Sequence, residues 1–598
     1  MIKTPPVVVA LGNNSIPVAQ KIISVLPGAQ LYGLAGRTCD VDVSFTEFGT
    51  TLRELFTNGV PIIGICATGI LIRTLAPLLA NKRQEPPVLA VAEDGSAVVP
   101  LLGGLNGVNS LAHQIAEVLN VKPAITTTGD IRFGIALEDP PVGYRLANPD
   151  DAKSFMSDLL AGNSVKLEGN APWLKNSSLP IAQDAQRIIQ ITEKQVVSTS
   201  KRLVYHPATV VIGVTLLNGS WRGGSEEIAF VQKMLVDAEL APASVAGVFA
   251  STLDAAHPAL QAIADALNVP IRFFTTDEIA VVMSQHNTVD VAMLQQGAEP
   301  LRANALALAA SSGQLVMQRQ TSDFSCAIAL SPLPVNINTT GRPRGRLAVI
   351  GTGPGGKHWM SPEAQKILRN TTDLVGYSTY LKLVGSLGKG KRWHESDNRE
   401  EIARARIALD LAAEGRFVAV VSSGDPGIYA MAAAVFEVLE QEAKPGWQGI
   451  EIQVAPGISA MQAAAAKIGA PLGHDFCTIS LSDILKPWSI IEQRITAAAQ
   501  ADFVIAFYNP VSKQRTWQLV EAKNILLRYR HPDTPVVLAR NLGRDGESIQ
   551  VCTLEHLAPE LADMRTVILV GSSKTRTIQR CDGNVWVYTP RRYDSPSH

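Results

Sequence analysis

The chain has 598 residues, of which 46% are hydrophobic and 18% are charged, a composition that supports buried cores and excludes disordered or collagen-like polymers. Its 53 Lys and Arg residues and 54 Asp and Glu residues leave a formal net charge of −1, which gives no general attraction to nucleic acid. Because a single hydrophobic core stops growing beyond about 300 residues, we expect a folded protein of several domains.

The cysteines and the apolar segments restrict the class of protein further. Six cysteines are scattered without a C-x-x-C pair, so no metal site is expected. No segment reaches the ~20 uninterrupted apolar residues of a membrane span. The opening MIKTPPVVVALGNNS is more typical of a first buried strand than of a signal peptide. We therefore predict a cytoplasmic protein without a membrane or nucleic-acid partner.

Short Val- and Ile-rich runs alternate with longer amphipathic stretches, which is typical of α/β domains around mainly parallel sheets. The first runs predict strands at 7–11, 60–66 and 88–92, and an amphipathic stretch predicts a helix at 110–120. Residues 1–140 are therefore interpreted as one α/β domain.

The next part of the chain divides by composition. Residues 141–208 are largely polar and interrupted by Gly and Asn, and a strand at 209–214 opens another α/β domain over 209–330. Residues 331–345, rich in Pro, Asn, Gly and Arg, have little apolar periodicity. That composition predicts an exposed linker between domains.

Beyond the linker, strand, loop and helix alternate again. A strand at 347–350 leads into GTGPGG, and Ser361 followed by Pro362 predicts the start of a helix, because Ser caps helices well and Pro suits the first helical position. A second helix presents Ile402, Ala405, Leu409 and Ala412 on one face. Gly415 can end that helix in a left-handed conformation before a strand at 417–421.

The first glycine-rich loop formally satisfies G-x-G-x-x-G after a strand, which raises the hypothesis of a nicotinamide-dependent oxidoreductase. Two features argue against it. Pro354 removes an N–H donor from the loop, and Asp373 begins an apolar run where a ribose-binding acid would end a strand.

Two further segments have the form of ligand-holding loops. SSGDPGIYAMA places Asp425 between Gly424 and Pro426, where it could accept hydrogen bonds from a ribose or offset a sulfonium charge; a purely structural turn is the alternative. APGISAMQAAAA places Ser459 at the start of an Ala-rich helix, which leaves room for a flat adenine but also suits tight packing of the helix on a sheet.

Together these segments resemble the class III tetrapyrrole methyltransferases, and within them the precorrin-3B C17-methyltransferases. The resemblance rests on motifs in family order from about residue 346 to 593, namely GTGPGG, VGYSTYL, SSGDPGIYAMA, APGISAMQAAAAKIGAPLGHDFCTISLSDILKPW, FYNPVSKQR and TPRRY. It implies two α/β lobes, 346–457 and 458–598, with S-adenosylmethionine in the cleft between them and a homodimeric assembly.

The resemblance also implies site residues, position by position. Those expected to bind the cofactor are Pro354, Gly424, Asp425, Ile428, Ser459, Ala460, Tyr508, Asn509, Ala539 and Leu542. The family reaction methylates C17 while the macrocycle contracts, which requires an acid or base, and His474, Asp475 and Asp483 are the candidates. A lone His is more often structural.

The tetrapyrrole substrate carries many carboxylates, which guanidinium groups bind in bidentate fashion. The candidate partners are Arg540, Arg544, Arg576 and Arg591, with Lys574 and Arg592 as further cations. A solvated surface role is the alternative for most of them.

The first half of the chain resembles the cobalt-precorrin-5A hydrolases, through CATGILIRTLAPLL, AVAEDGSAVVPLLGGLNGVNSLAHQIAEVL and AITTTGD. Three departures put the hydrolase activity in doubt: Leu105 stands where the family has His, Gly213 to Thr215 replace a glycine-cysteine turn, and Ala255 or Ala256 replaces a lysine. The remaining polar candidates, which a turn and a helix cap explain equally well, are Asn106, Asn109, Thr126 to Thr128 and Asp130.

The predicted architecture is therefore a multidomain α/β protein, with hydrolase-like domains followed by a two-lobed methyltransferase. The predicted function is S-adenosylmethionine-dependent C17 methylation and ring contraction of precorrin-3B or its cobalt form. The first half is either an active hydrolase or a degenerate domain that binds corrinoids. A non-catalytic tetrapyrrole-binding scaffold and the nicotinamide oxidoreductase are the alternative functions.

Overall fold

The computed structural model describes residues 4–26, 28–82, 84–217, 225–285, 299–397, 400–512 and 515–592. Lys513, Gln514 and Tyr593, which belong to the quoted motifs, lie outside the described residues. The chain forms two compact units, Met1–Arg344 and Gly345–His598. Several sheets covered by helices give each unit an α/β architecture, which confirms the predicted fold class.

The first sheet of the amino-terminal unit has the order β3-β2-β1-β4-β5-β6, in which all neighbours are parallel except β5 and β6. Helices pack on both faces, so the sheet is covered on each side by a hydrophobic cluster. The strands are β1 (Val7–Ala10), β2 (Gln30–Leu34), β3 (Val43–Phe45), β4 (Ile62–Ile65), β5 (Val88–Val91) and β6 (Val98–Leu102), and the helices are Ile16–Ser24, Phe48–Thr57, Thr68–Leu75, Val108–Leu119 and Thr128–Phe133.

A smaller sheet follows in the polar middle region, with the order β7-β10-β9-β8. Its core is built on Phe155 and Tyr205, and the Tyr205 hydroxyl donates to the Leu137 carbonyl at 2.7 Å. Its elements are β7 (Tyr144–Leu146), β8 (Val165–Glu168), β9 (Arg187–Ile191) and β10 (Arg202–Pro207), with the helices Pro149–Leu160 and Pro172–Lys175.

The third sheet has the order β13-β12-β11-β15-β14. Gly213 and Thr215 lie inside β11 and not in a turn, and a Cβ at Gly213 would lie 2.2 Å from the Ala303 carbonyl oxygen. The glycine therefore lets a helix pack closely on the strand. The elements are β11 (Val210–Leu216), β12 (Val245–Ser251), β13 (Ile271–Phe274), β14 (Gln314–Gln320) and β15 (Phe324–Leu330), with the helices Ser225–Asp237, Pro258–Leu267, Thr276–Gln285 and Glu299–Ser311.

The segment predicted as a linker, 331–345, is tied to this third sheet over much of its length. The Val335 amide donates to the Ala208 carbonyl at 2.9 Å, and Phe273 and Arg342 exchange two backbone hydrogen bonds. Ile337 packs against the core that covers β11. The low apolar content of the segment hides these backbone contacts from a sequence-based interpretation.

The carboxy-terminal unit begins with a parallel sheet of order β18-β17-β19-β16-β20. Ser361 accepts a hydrogen bond from the Ala364 amide at 3.1 Å, and Gly415 has φ +83°, which confirms both predicted helix ends. The elements are β16 (Arg346–Gly351), β17 (Asp373–Tyr377), β18 (Arg392–Ser396), β19 (Phe417–Ser422) and β20 (Glu451–Ala455), with the helices Pro362–Asn370, Ser378–Lys382, Glu401–Ala413 and Met431–Glu442.

The rest of this unit contains a mixed sheet of order β22-β23-β26-β24-β25 and a small sheet of order β21-β28-β27. The strands are β21 (Gly469–Ala470), β22 (Phe476–Ser480), β23 (Val504–Tyr508), β24 (Pro535–Arg540), β25 (Ser548–Thr553), β26 (Thr566–Val570), β27 (Arg576–Gln579) and β28 (Val585–Tyr588), and the helices are Ala460–Ile468, Trp488–Gln500 and Trp517–Leu526. Within the described residues, no helix combines the length and the apolar character needed to cross a bilayer.

Candidate functional site

Three loops meet at one edge of the parallel sheet in the carboxy-terminal unit. Strand β16 lies between β19 and β20 and runs parallel to both, so the loops that follow the three strands leave the sheet at the same edge. Gly353 and Gly424 exchange backbone hydrogen bonds of 3.2 and 2.9 Å. The first two loops are therefore joined directly.

Glycines are required where these loops touch. A Cβ on Gly351 would lie 2.3 Å from the Gly424 carbonyl oxygen and 2.9 Å from the Cα of Gly457. A side chain there would force the loops apart. The three glycines thus let the loop backbones lie against one another, and Gly424 and Gly457 remain partly exposed where a ligand can approach.

Asp425 connects the second loop to the third. One carboxylate oxygen accepts from the Gly427 amide at 2.8 Å and the other accepts from the Gly457 amide at 3.1 Å. The carboxylate therefore organises the turn, and each oxygen keeps acceptor capacity for a ligand. Ile428 follows in the same loop and is half-buried.

Ser459 caps the Ala-rich helix Ala460–Ile468. Its hydroxyl accepts from the Gln462 amide at 3.2 Å, while the Gln462 side chain accepts from the Ser459 amide at 2.9 Å. This reciprocal pair satisfies two amides at the start of the helix. The Met461 amide donates to the Tyr508 hydroxyl at 3.1 Å, so the start of this helix also binds β23.

The second sheet brings another set of predicted residues to this region. Strands β22, β23 and β24 run in one direction, so their carboxyl ends share an edge. Tyr508 and Asn509 lie at the end of β23, and the Asn509 amide group donates to the Ser480 hydroxyl at 3.1 Å. Burial raises the pKa of Tyr508. Ala539 and Leu542 are buried in the core beneath this edge.

Arg544 joins the two edges. Its Nε donates to the Pro354 carbonyl at 2.7 Å, and Nη2 donates to the Ser423 hydroxyl at 2.5 Å. Beside it, a Cβ on Gly355 would lie 2.0 Å from the Gly543 carbonyl oxygen, so the backbones of the two lobes touch. Burial lowers the pKa of Arg544, and no described carboxylate forms an ion pair with it.

Of the other predicted arginines, Arg540 ends β24 at this edge, but its guanidinium is paired with a carboxylate of the protein. Arg540 donates to Asp563 at 2.8 Å. Burial works against ionisation of Asp563, but the hydrogen bonds from Arg540, the Arg565 amide and Thr566 together outweigh it, and the pKa of Asp563 is lowered. Arg576 and Arg591 are exposed, in and after the small sheet.

The predicted catalytic candidates are divided by a strand. His474 and Asp475 precede β22 and Asp483 follows it, so they lie at opposite ends of the strand. The His474 Nδ1 accepts from the Asp475 amide at 2.8 Å, and Asp483 accepts from Gln518 at 3.0 Å. Of the three, Asp483 lies at the edge that also carries Tyr508 and Asn509.

Arg515 is a site residue that the sequence interpretation did not assign. It is 6% exposed, donates to the Ser482 hydroxyl at 2.9 Å and to the Asn509 carbonyl at 3.0 Å, and burial lowers its pKa. Arg515 therefore fixes the ends of β22 and β23. Its motif, FYNPVSKQR, was the available signal.

Tyr429 was also missed. It has φ +51°, and its hydroxyl donates to the Thr478 carbonyl at 2.9 Å, with its ring centroid 5.3 Å from that of Tyr508. The loop after β19 thereby reaches the sheet that contains β22 and β23. A positive φ at a Tyr has no signature in the sequence.

Asp373 lies away from these loops, at the amino end of β17. Its carboxylate is fully buried and accepts hydrogen bonds from Arg392, His394 and Arg416 at 2.8 to 3.1 Å. Burial opposes ionisation, yet these donors hold the pKa of Asp373 far below its usual range. A ribose-binding acid would stand at the other end of the strand, so Asp373 does not support nicotinamide binding.

In the amino-terminal unit, the predicted polar residues form a small network. The Asn109 amide group donates to Thr127 and to Asp130, each at 3.2 Å, and Asn106 donates to the Glu85 carbonyl at 2.7 Å. Thr127 precedes the helix Thr128–Phe133. The structure brings Asn109, Thr127 and Asp130 together and leaves Asn106 bound to a different loop.

Three family matches cover much of the chain. Residues 346–558 match Tetrapyrrole (Corrin/Porphyrin) Methylases, residues 50–130 match Cobalamin synthesis G N-terminal and residues 219–329 match Cobalamin synthesis G C-terminus.

Similar proteins carry related names. The chain is 49% identical over 253 residues to the cobalamin biosynthesis protein CobIJ of Mycobacterium bovis, covering 42% of this chain and 48% of that protein. It thus spans about half the length of the first curated relatives that it matches. It is 46% identical to a precorrin-3B C(17)-methyltransferase of Sinorhizobium, over 42% of this chain and 99% of the other. The crystal structure of the methyltransferase CobJ is 48% identical, covers 41% of this chain and 100% of its own, and has a TM-score of 0.39.

Proposed function

Since the chain belongs to the tetrapyrrole methylase family, we propose that it methylates C17 of precorrin-3B, or of its cobalt form, with contraction of the macrocycle. The observation that carries this proposal is the edge where three glycine-containing loops meet and which Arg544 joins to the second lobe. An edge with partly accessible loop backbone suits a nucleoside and an amino acid better than a bulky apolar ligand.

The residues of the edge fit S-adenosylmethionine as the methyl donor. Asp425 offers acceptor capacity to ribose hydroxyls, and the small side chain of Ala460 leaves space beside the helix for the flat base. When bound, the cofactor would supply a methyl group on a sulfonium sulfur; an electron-rich macrocycle carbon attacks this methyl group, and the sulfur leaves as a neutral thioether. The main task of the protein is therefore to hold the two reactants in line.

Pro354 and Arg544 contribute to that alignment. The Pro354 carbonyl oxygen is fixed by the Arg544 guanidinium, and Pro354 lies in the loop that the resemblance assigns to the reaction centre. Arg544 keeps Nη1 for a carboxylate of the substrate while Nε and Nη2 hold the loops. One side chain thus orders the loop and neutralises substrate charge.

The proton transfer that accompanies ring contraction is assigned to Asp483. It lies at the edge shared by Tyr508 and Asn509, whereas His474 and Asp475 lie at the other end of β22. Gln518 holds the carboxylate in place through one hydrogen bond. We expect Asp483→Asn to lower kcat at constant affinity for S-adenosylmethionine.

The oligomeric state and the location are part of the same proposal. Ile484, Leu485 and Trp517 expose 74%, 90% and 46% of their surface, and a second copy of this chain would cover them. All six cysteines are unpaired, which suits the reducing cytoplasm. Leu485→Glu should convert a homodimer to monomers in light scattering, and an unchanged mass would contradict this interface.

The amino-terminal unit is proposed to bind corrinoid intermediates, with or without lactone hydrolysis. Its polar cluster consists of Asn109, Thr127 and Asp130. Leu105 stands where the cobalt-precorrin-5A hydrolases have His. Incubation with a lactone-bearing corrinoid separates the two cases, since hydrolysis releases acetaldehyde and simple binding does not.

The methyltransferase proposal is tested by mass spectrometry of the protein incubated with S-adenosylmethionine and precorrin-3B, with a parallel cobalt-containing substrate. We expect a gain of one methyl group that Asp425→Ala abolishes. Corrinoid binding without methyl transfer would favour the scaffold alternative, and reduction of a nicotinamide cofactor would favour the oxidoreductase.

A further inference from the structure

A cavity of about 530 Å³ lies at the carboxyl edge of the first sheet in the amino-terminal unit. The strand order reverses between β1 and β4, since β2 and β3 continue on one side and β5 and β6 on the other. In open α/β sheets, ligands bind outside the carboxyl ends of the strands at such a reversal. The cavity lies there, lined by residues that follow β1, β4 and β5, and its volume is in the range of small-molecule sites.

Two helical segments begin at this cavity without side-chain caps. Gly12 precedes the short turn that leads into the helix Ile16–Ser24, and Ala67 precedes the helix Thr68–Leu75. Neither residue has a side-chain oxygen that could cap its helix. The Gly12 and Ala67 carbonyls accept from the third amides, those of Ser15 and Ile70, at 3.1 and 2.9 Å, which leaves the first two amides of each segment. Those amides carry partial positive charge and lack intrahelical partners, so the cavity favours an anionic group.

Ser15 independently indicates a missing partner. It is 2% exposed and lines the cavity, and its hydroxyl makes no hydrogen bond to any residue in the described part of the chain. Buried hydroxyls in folded proteins nearly always have a partner. A ligand atom inside the cavity would supply it.

The remaining polar groups restrict the ligand and its chemistry. Burial raises the pKa of the Cys66 thiol to about 11, so this thiol stays neutral near pH 7 and is a poor nucleophile. Glu93 lines the cavity from the loop after β5 and is exposed. Its negative charge disfavours a dianion such as phosphate, whereas a single carboxylate can lie at the opposite side, near Thr68.

We propose that this cavity is a binding site for a carboxylate borne by an organic ligand, held by the Ser15 hydroxyl and by the Thr68 amide at the start of its helix. A corrinoid that presents one peripheral carboxylate is the ligand class, and this identity rests on the proposed function. The location rests on the cavity alone. The ligand is bound without a covalent step.

Two substitutions test the site with little strain elsewhere. Thr68 is the first residue of its helix and follows Ala67 with φ −60° and ψ 132°, a conformation that a following Pro accepts. Thr68→Pro therefore removes one amide donor and keeps the helix, and Thr68→Ala is its matched control because it keeps the amide. Gly12 has extended backbone, and a Cβ there meets no atom within 4 Å, so Gly12→Leu fills the cavity.

The experiment is hydrogen–deuterium exchange of the full chain with cobyrinic acid, its heptamethyl ester or sodium acetate as probes. We expect cobyrinic acid to protect residues 11–16 and 66–70, and acetate to do so weakly at much higher concentration, whereas the ester does not. Thr68→Pro should raise the cobyrinic acid concentration needed for protection about tenfold, which is the change in affinity expected for loss of one hydrogen bond to a charged group. Gly12→Leu should abolish it, and Thr68→Ala should largely retain it.

Two results would overturn the proposal: equal protection by the ester, or unchanged protection in both Thr68→Pro and Gly12→Leu. Circular dichroism of each variant verifies that the unit is folded. Methyl transfer is measured on the same samples. If the parent protein transfers no methyl group but residues 66–70 are protected, the proposed function is refuted and the cavity site stands. If it transfers the methyl group but residues 66–70 are not protected, only the cavity site is refuted.

Discussion

Replacing Arg544 with Met removes the side chain that connects the two lobes at the candidate site. The Arg544→Met variant loses the hydrogen bonds of 2.7 Å to Pro354 and 2.5 Å to Ser423. Hydrogen bonds that involve a charged group contribute about 1.5–3 kcal/mol when buried. Because this guanidinium is only half-buried, we take about 1 kcal/mol for each bond, or about 2 kcal/mol in total.

That loss corresponds to about a thirtyfold decrease in kcat/KM for methyl transfer, since 1.4 kcal/mol is tenfold. Steady-state kinetics at varied S-adenosylmethionine measure it, and calorimetry measures cofactor affinity separately. A matched control is Arg406→Met, which breaks an ion pair of 2.6 Å with Glu442 on two helices. A solvent-exposed pair of this kind contributes little to stability. If both variants lose the same activity, or Arg544→Met loses none, the connecting role of Arg544 is refuted.

Three further substitutions test the structure of the carboxy-terminal unit. Gly351→Ala should abolish cofactor binding in calorimetry, because its Cβ would lie 2.3 Å from the Gly424 carbonyl oxygen, and wild-type affinity would contradict the close approach of the loops. Ser459→Ala should lower the free energy of unfolding by about 1 kcal/mol through loss of the helix cap, measured in urea, with an unchanged value arguing against the cap. The folded pKa of Asp373 is depressed, so its ionisation stabilises the fold above the unfolded pKa of about 3.9, and this stability is lost as pH falls below that value. Asp373→Asn should therefore flatten the acid side of the curve of unfolding free energy against pH. An identical pH dependence would contradict the assignment.

Local signals in the sequence were enough for much of the fold. Ser361 and Pro362 predicted a helix start that the Ser361 hydroxyl confirms through its bond to the Ala364 amide, and Gly415 predicted a helix end that its positive φ confirms. These features depend on neighbours within a few residues. The family motifs likewise indicated the glycine-containing loops.

Long-range contacts were beyond such signals. Arg544 and Pro354 are 190 positions apart, and nothing near either residue shows that they meet. His474 and Asp483 were both candidates because they lie in one family segment, yet β22 places them at opposite ends. Gly213 was interpreted as part of a turn, whereas the approach of a helix to β11 explains it. In each case the tertiary packing decides, and packing has no local pattern.

The central claim is the transfer of a methyl group to C17, and one measurement tests it most directly. The protein is incubated with precorrin-3B and S-adenosylmethionine carrying a ¹³C-labelled methyl group, and the product is analysed by NMR. We expect a single enriched methyl signal that correlates with C17 of a contracted macrocycle. An enriched methyl at any other carbon, or an unlabelled macrocycle, would contradict it.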